Sequence, residues 1–146
     1  MKQNQHRLTA LAALTFTVLL AAGCSSMGGM SPGGSAKLSG SQEVPPVMTA
    51  ASGNASIMVA ADKSVTGTVT TTGIDSKAAH IHQAASGVNG PVIVGLTKNA
   101  DGSFSVPAGA KLTDEQYASY QAGNMYVNVH SAAHPGGEIR VQLNSK

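Results

Sequence analysis

The sequence predicts an all-β domain, a Greek-key barrel or sandwich carrying one short helix, and three observations predict it. Past residue 36, glycines and prolines cut the chain into short runs rich in Val, Ile and Thr, the make-up of strands bounded by turns. Within several of these runs apolar and polar residues alternate, as strands buried on one face require. A single segment, residues 113–121, carries the signals of a helix. Seven or eight short strands with one helix suit an antiparallel sheet that closes on itself or folds into two layers. No internal repeat is apparent.

Taken in order, residues 37–42 form the first expected strand, stopped by Pro45-Pro46. Residues 54–60 alternate small polar residues with Ile57 and Val59, and residues 64–71 alternate Val65, Gly67 and Val69 with threonines. Asp62-Lys63 between them is the expected hairpin turn. Residues 78–83 and 91–96 flank a loop, Ala-Ser-Gly-Val-Asn-Gly, and Pro91 can open a strand although it could not sit inside one. Residues 103–106 make a short strand after the Asp101-Gly102 turn. In the helix, Thr113 is the N-cap, Gln116 completes a capping box, Asp114 and Glu115 stand in the first turn, and Gly123 lies beyond the end. Tyr117 and Tyr120, three apart, face the same way and are expected to dock the helix on the sheet. Residues 124–130 and 138–143 close the fold, joined by Ser-Ala-Ala-His-Pro-Gly-Gly.

The start of the chain has a different character. Lys2, His6 and Arg7 precede an apolar run of about 13 residues, too short to span a bilayer as a helix. Small residues then lead to Cys24, the only cysteine. This is the layout of a secretory signal, and Ala22-Gly23-Cys24 resembles a lipobox, in which the thiol is acylated and becomes the mature N-terminus. The lipobox leucine stands one place early, with Ala21 three residues before the cysteine. The expected division is a lipoprotein signal over 1–23, a flexible Gly/Ser/Met tether over 24–36 and a β domain over 37–146. Ser25, where a retention signal would have Asp, implies a lipid-anchored protein of the bacterial outer membrane facing the periplasm.

Without residues 1–23, seven basic and seven acidic residues remain, so the +2 of the whole chain belongs to the signal. No basic stripe is left to condense on phosphates, which argues against a nucleic-acid partner. With Cys24 committed to lipid, no disulfide forms within one chain, and stability must come from an apolar core or a metal.

The four remaining histidines fall in two segments, His80 and His82, then His130 and His134. On a strand, residues two apart share a face, so His80 and His82 project together while Ile81 points the other way. In 124–130, Met125, Val127 and Val129 form the apolar face, leaving His130 on the opposite face with Asn124, Tyr126 and Asn128. If the two strands are neighbours, three imidazoles converge and His134 reaches in from the following loop. Three or four neutral imidazoles without a thiolate suit copper or zinc, with copper favoured where the geometry tends to square-planar. The alternative is structural: each ring donates to a loop carbonyl and pins a neighbouring turn. No nucleophile elbow and no acid pair beside a histidine is present. Glu138, after Gly136-Gly137, is expected to pair with Arg140 along one strand face; the other reading makes it a carboxylate behind a histidine.

Three motifs in order resemble the CHRD domain, named from chordin and also found in bacterial proteins. They are Leu38-Ser39-Gly40-Ser41-Gln42-Glu43-Val44-Pro45-Pro46; then Ala79-His80-Ile81-His82 with Gly87-Val88-Asn89-Gly90-Pro91-Val92; and Gly123-Asn124-Met125-Tyr126-Val127-Asn128-Val129-His130 leading to Pro135-Gly136-Gly137-Glu138-Ile139-Arg140. The family usually has Asn where His134 stands, Gly where Gln83 stands and Gly where Val141 stands. The resemblance implies an immunoglobulin-like barrel with a limited similarity to copper/zinc superoxide dismutases, in which a His-x-His pair on a strand binds copper. No equivalent of the zinc half of that site follows here, so the resemblance leaves a copper site alone. It also implies, from chordin, a protein-interaction use. The expected function is therefore metal binding by a membrane-anchored domain through His80, His82 and His130, with His134 optional. The alternatives are a non-enzymatic interaction module and a dismutase-like enzyme.

Overall fold

The computed structural model describes residues 34–145. The expected signal, the acylated Cys24 and the tether as far as residue 33 lie outside the described residues. The chain runs through β1 (Ala36–Ser39), β2 (Ser52–Val59), β3 (Val65–Thr72), β4 (Ser76–Gln83), β5 (Val92–Gly95), β6 (Thr97–Lys98), β7 (Phe104–Ser105), α1 (Asp114–Gln121), β8 (Met125–Ser131) and β9 (Ile139–Leu143). These strands form one antiparallel sheet in the order β5-β4-β8-β9-β1-β2-β3-β7-β6. The two strands that end this order are consecutive in the chain. Leu96 between them donates its N–H to the carbonyl of Ala79 in β4 at 2.9 Å, so the sheet curls into a nearly closed barrel.

Alternation decides what lies inside. Ala79 and Ile81 of β4, Met125, Val127 and Val129 of β8, and Ile139, Val141 and Leu143 of β9 point into one core with Leu38, Val69 and Phe104. Each large side chain fully buried there contributes about 1.5–3 kcal/mol from apolar surface removed from water. The helix docks as its sequence predicts. Thr113 accepts from the Gln116 N–H at 3.2 Å and its own N–H donates to Gln116 Oε1 at 2.9 Å, and Tyr117 and Tyr120 pack against the core. A hydrogen bond from Gln83 Nε2 to Ser119 Oγ, 2.8 Å, ties the helix to the end of β4.

Strand ends shift from expectation mostly by one or two residues, and at two places the difference has a structural cause. The first strand ends at Ser39, and Gly40–Gln42 form a 3-10 turn, because the Gly40 carbonyl accepts from both Glu43 and Val47 and curls the chain over the barrel's outer surface. The run 91–96 is broken at Leu96, where the chain crosses from one end of the sheet order to the other. The outer face of β4, β8 and β9 is consequently roofed by residues 40–49 and by the loop 84–91. A second, polar layer is buried beneath that roof.

Candidate metal centre

β4 and β8 pair directly, with Ala78 opposite His130, His80 opposite Asn128 and His82 opposite Tyr126. Even-numbered residues of both strands therefore share the outer face, and the sheet brings His80, His82 and His130 into one group. His80 Nδ1 lies 2.9 Å from His130 Nε2. Ring centroids are 4.7 Å apart for His80–His130, 5.7 Å for His80–His82 and 6.3 Å for His82–His130. One ring nitrogen from each of the three falls within 4.8 Å of the others.

The protons on these rings follow from their partners. His130 Nδ1 is 2.9 Å from the Pro135 carbonyl and His82 Nδ1 is 2.9 Å from the Gly90 carbonyl. A carbonyl only accepts, so both Nδ1 atoms carry hydrogen, and each neutral ring is left with a bare Nε2. His130 Nε2 accepts from His80 Nδ1. His82 Nε2 is buried and has no partner among the described residues. A buried acceptor without a donor costs about 1–3 kcal/mol, and a cation with an empty orbital would relieve it. Burial, helped by the neighbouring imidazoles, holds the His80 pKa below its usual value. Burial does the same at His130, against a smaller opposing pull from the Pro135 carbonyl. These two rings thus favour the unprotonated state that ligates metals.

Three neutral imidazoles are a donor set for copper or zinc. Two nitrogens 2.9 Å apart, each about 2 Å from a common ion, subtend about 90° there, near the cis angle of a square-planar site. Nitrogens on opposite sides of an ion stand about 4 Å apart, so a separation of up to 4.8 Å closes with ring movement of under about 1 Å. The residues fit the ion.

Around the triad lies a polar shell. The Tyr126 ring stacks on His82, centroids 4.7 Å apart and 6° from parallel, and the Arg140 guanidinium sits 3.3 Å from the centre of the same ring. Arg140 is only 1 % exposed. Glu43 is buried too, beside the Asn128 side chain, and neither Glu43 Oε1 nor Asn128 Oδ1 has a close hydrogen-bond partner among the described residues. Burial raises the Glu43 pKa above the ordinary carboxylate value, opposed by the positive charge of Arg140.

His134 stands outside the group of three. Its carbonyl accepts from Gly137 and its N–H donates to Ser131 Oγ, so its main chain closes the 131–137 turn, and its charge bears on Glu138. The expected Glu138–Arg140 pair does not form. Glu138 precedes β9 and accepts from the hydroxyls of Thr49 and Ser131. Burial alone would raise its pKa, but the Ser131 and Thr49 hydroxyls, with the nearby His134, outweigh it and hold the carboxyl low. Arg140 instead turns to Val88, Asn89 and the Tyr126 ring. Tyr126 was visible in the sequence as a neighbour on the histidine face. Nothing in the sequence marked Glu43 as buried, because its burial depends on how the 40–49 segment folds over the sheet.

A family match to the CHRD domain covers residues 34–143. No curated protein and no solved structure matches the chain.

Proposed function

The chain belongs to the CHRD domain family, and we propose that it is a lipid-anchored protein of the bacterial envelope that binds a transition metal, copper in preference to zinc, through His80, His82 and His130. The observation that carries this reading is the buried Nε2 of His82, without a partner among the described residues, in a group of three imidazoles drawn from two strands. Copper is favoured by the angle of about 90° that the His80 and His130 nitrogens would subtend at an ion. Binding and transfer suit the site better than turnover: among the described residues no other His, Cys, Asp or Glu joins the group. Anchoring rests on Cys24 after a short apolar run, and His134 serves the turn rather than the ion. Titration of the mature protein with copper(II) should give one tight site that the His80→Ala, His82→Ala double variant loses. A wild-type protein that binds no copper overturns the reading.

The carbonyl contacts of His82 and His130 favour one other reading, an interaction module of the envelope whose histidines brace two loops. The two differ in what copper does to unfolding. Ligand at about 100 times its dissociation constant stabilises the folded state by about 2.7 kcal/mol, whereas pure braces give no metal-linked rise in melting temperature.

A further inference from the structure

The loop 84–91 is tacked to the outer face of the sheet by side chains of three strands. Arg140 Nη2 donates to the Val88 carbonyl at 2.9 Å and Nη1 to Asn89 Oδ1 at 3.1 Å. Gln142 Nε2 donates to the Ala84 carbonyl at 2.9 Å. The Gly90 N–H donates to the Tyr126 hydroxyl at 3.2 Å, and the Gly90 carbonyl accepts from His82 Nδ1 at 2.9 Å. One peptide segment is thus held at its N–H by Tyr126 while its C=O dictates which nitrogen of His82 keeps the proton. The rings of the two residues are stacked, and because β8 lies between β4 and β9, Arg140 closes the far face of Tyr126. His82 can neither rotate away from Gly90 without unstacking nor exchange tautomers without losing its acceptor.

We propose that Tyr126 and Arg140 are positioning residues: by clamping Gly90 and the stacked ring, they hold His82 as the Nδ1–H tautomer with Nε2 bare and turned toward His80 and His130. This rests on the metal-binding reading above. Neither residue needs to touch the ion, since groups that orient a ligand from behind change affinity by about 10–100-fold when removed. The arrangement goes beyond bracing of a loop, which needs the Nδ1 proton of His82 but has no use for a bare Nε2 buried in a group with two other imidazoles.

The experiment compares wild type with Tyr126→Phe, which keeps the stack and deletes only the hydroxyl, and with Arg140→Lys, which keeps the charge and deletes the fork. Nitrogen-15 imidazole spectra of the metal-free full mature chain read the His82 tautomer, and titration with copper(II) reads affinity. Expected are a single Nδ1–H form in wild type, a mixture of forms in Tyr126→Phe, and copper affinity lower by about tenfold in both variants. The unfolding midpoint of Tyr126→Phe should shift by only the few degrees that one hydrogen bond accounts for. Wild type that binds copper while Tyr126→Phe keeps both its tautomer and its affinity overturns the positioning role alone. Wild type that takes up no copper overturns the binding reading and this role with it.

Discussion

Gly90→Ala is the sharpest single perturbation of the site, because it adds one methyl group where the backbone leaves no room. A Cβ on Gly90 would stand 2.0 Å from the Gln83 carbonyl oxygen, 2.8 Å from the Gln83 carbonyl carbon and 2.9 Å from Ala84 Cβ. Gln83 cannot give way easily: it pairs with Met125 in β8, its N–H bonds the Pro91 carbonyl, and its side chain holds Ser119. Residue 90 must therefore move by more than about 1 Å to reach ordinary contact distance. Such a shift takes the bonds to His82 and Tyr126 past hydrogen-bond length, at about 1 kcal/mol each. Forced backbone displacement adds about 1–3 kcal/mol. The reduced freedom of alanine in the unfolded chain returns at most about 1 kcal/mol. The net expectation is a loss of about 2–4 kcal/mol, a large part of the 5–15 kcal/mol typical of a domain. Urea unfolding followed by circular dichroism should show a clear fall in midpoint. Gly136→Ala, whose new methyl group meets nothing within 4 Å, should stay within about 0.5 kcal/mol of wild type. A Gly90→Ala protein as stable as Gly136→Ala would refute the claim that the 84–91 loop is clamped.

Two further outcomes follow. The pKa values of His80 and His130 are depressed in the folded protein, chiefly by burial, so below the unfolded value near 6.5 the unfolded chain takes up protons first. Stability of the metal-free protein from this source is present above that pH and drains away as pH falls toward the folded values. The His80→Gln, His130→Gln variant should flatten the slope of urea midpoint against pH between about 7.5 and 5.5. Glu43, raised by burial, contributes in the opposite sense, its share being lost as pH rises, and the histidine substitutions leave it in place. Thr113→Ala removes the hydroxyl that accepts from Gln116 and should lower stability by about 1 kcal/mol in a thermal melt, while copper uptake stays at the wild-type level.

Much of the fold was legible because its signals are local. The capping box of Thr113 and Gln116 forms as its residues predict, and the two-residue period alone puts Ile81, Val127 and Val129 inside and the histidines outside. The meeting of His80 with His130 was legible only conditionally. Parity shows which face a side chain takes, but the pairing of β4 with β8 is a fact of barrel topology that no short motif encodes. Strand parity ceases to govern a side chain that lies just beyond a strand. Glu138, one place before β9, was expected to share a face with Arg140; outside the pleat its carboxylate swings to Thr49 and Ser131. His134 is not one of the group of three, and its main chain closes the turn of residues 131–137.

Bracing and ligation need not compete at this site, since the first supplies a condition for the second. A histidine whose only duty is to pin a loop could be replaced by any donor of similar reach, and its second nitrogen would do best in water. In this barrel the second nitrogen of His82 is sealed in, and that of His130 faces a neighbouring imidazole. The Gly90 and Pro135 carbonyls fix both Nδ1 protons, and so direct both lone pairs into the same space as His80. In the metal-free protein a hydrogen on His80 Nδ1 occupies part of that space, bridging to His130 Nε2. An ion coordinated through those two nitrogens has to displace it. His80 allows this by passing that hydrogen to its own Nε2, a change of tautomer that leaves the ring neutral. Uptake then weakens only as pH falls far enough to protonate the imidazoles, whereas a cluster built only to brace loops takes up no copper at any pH.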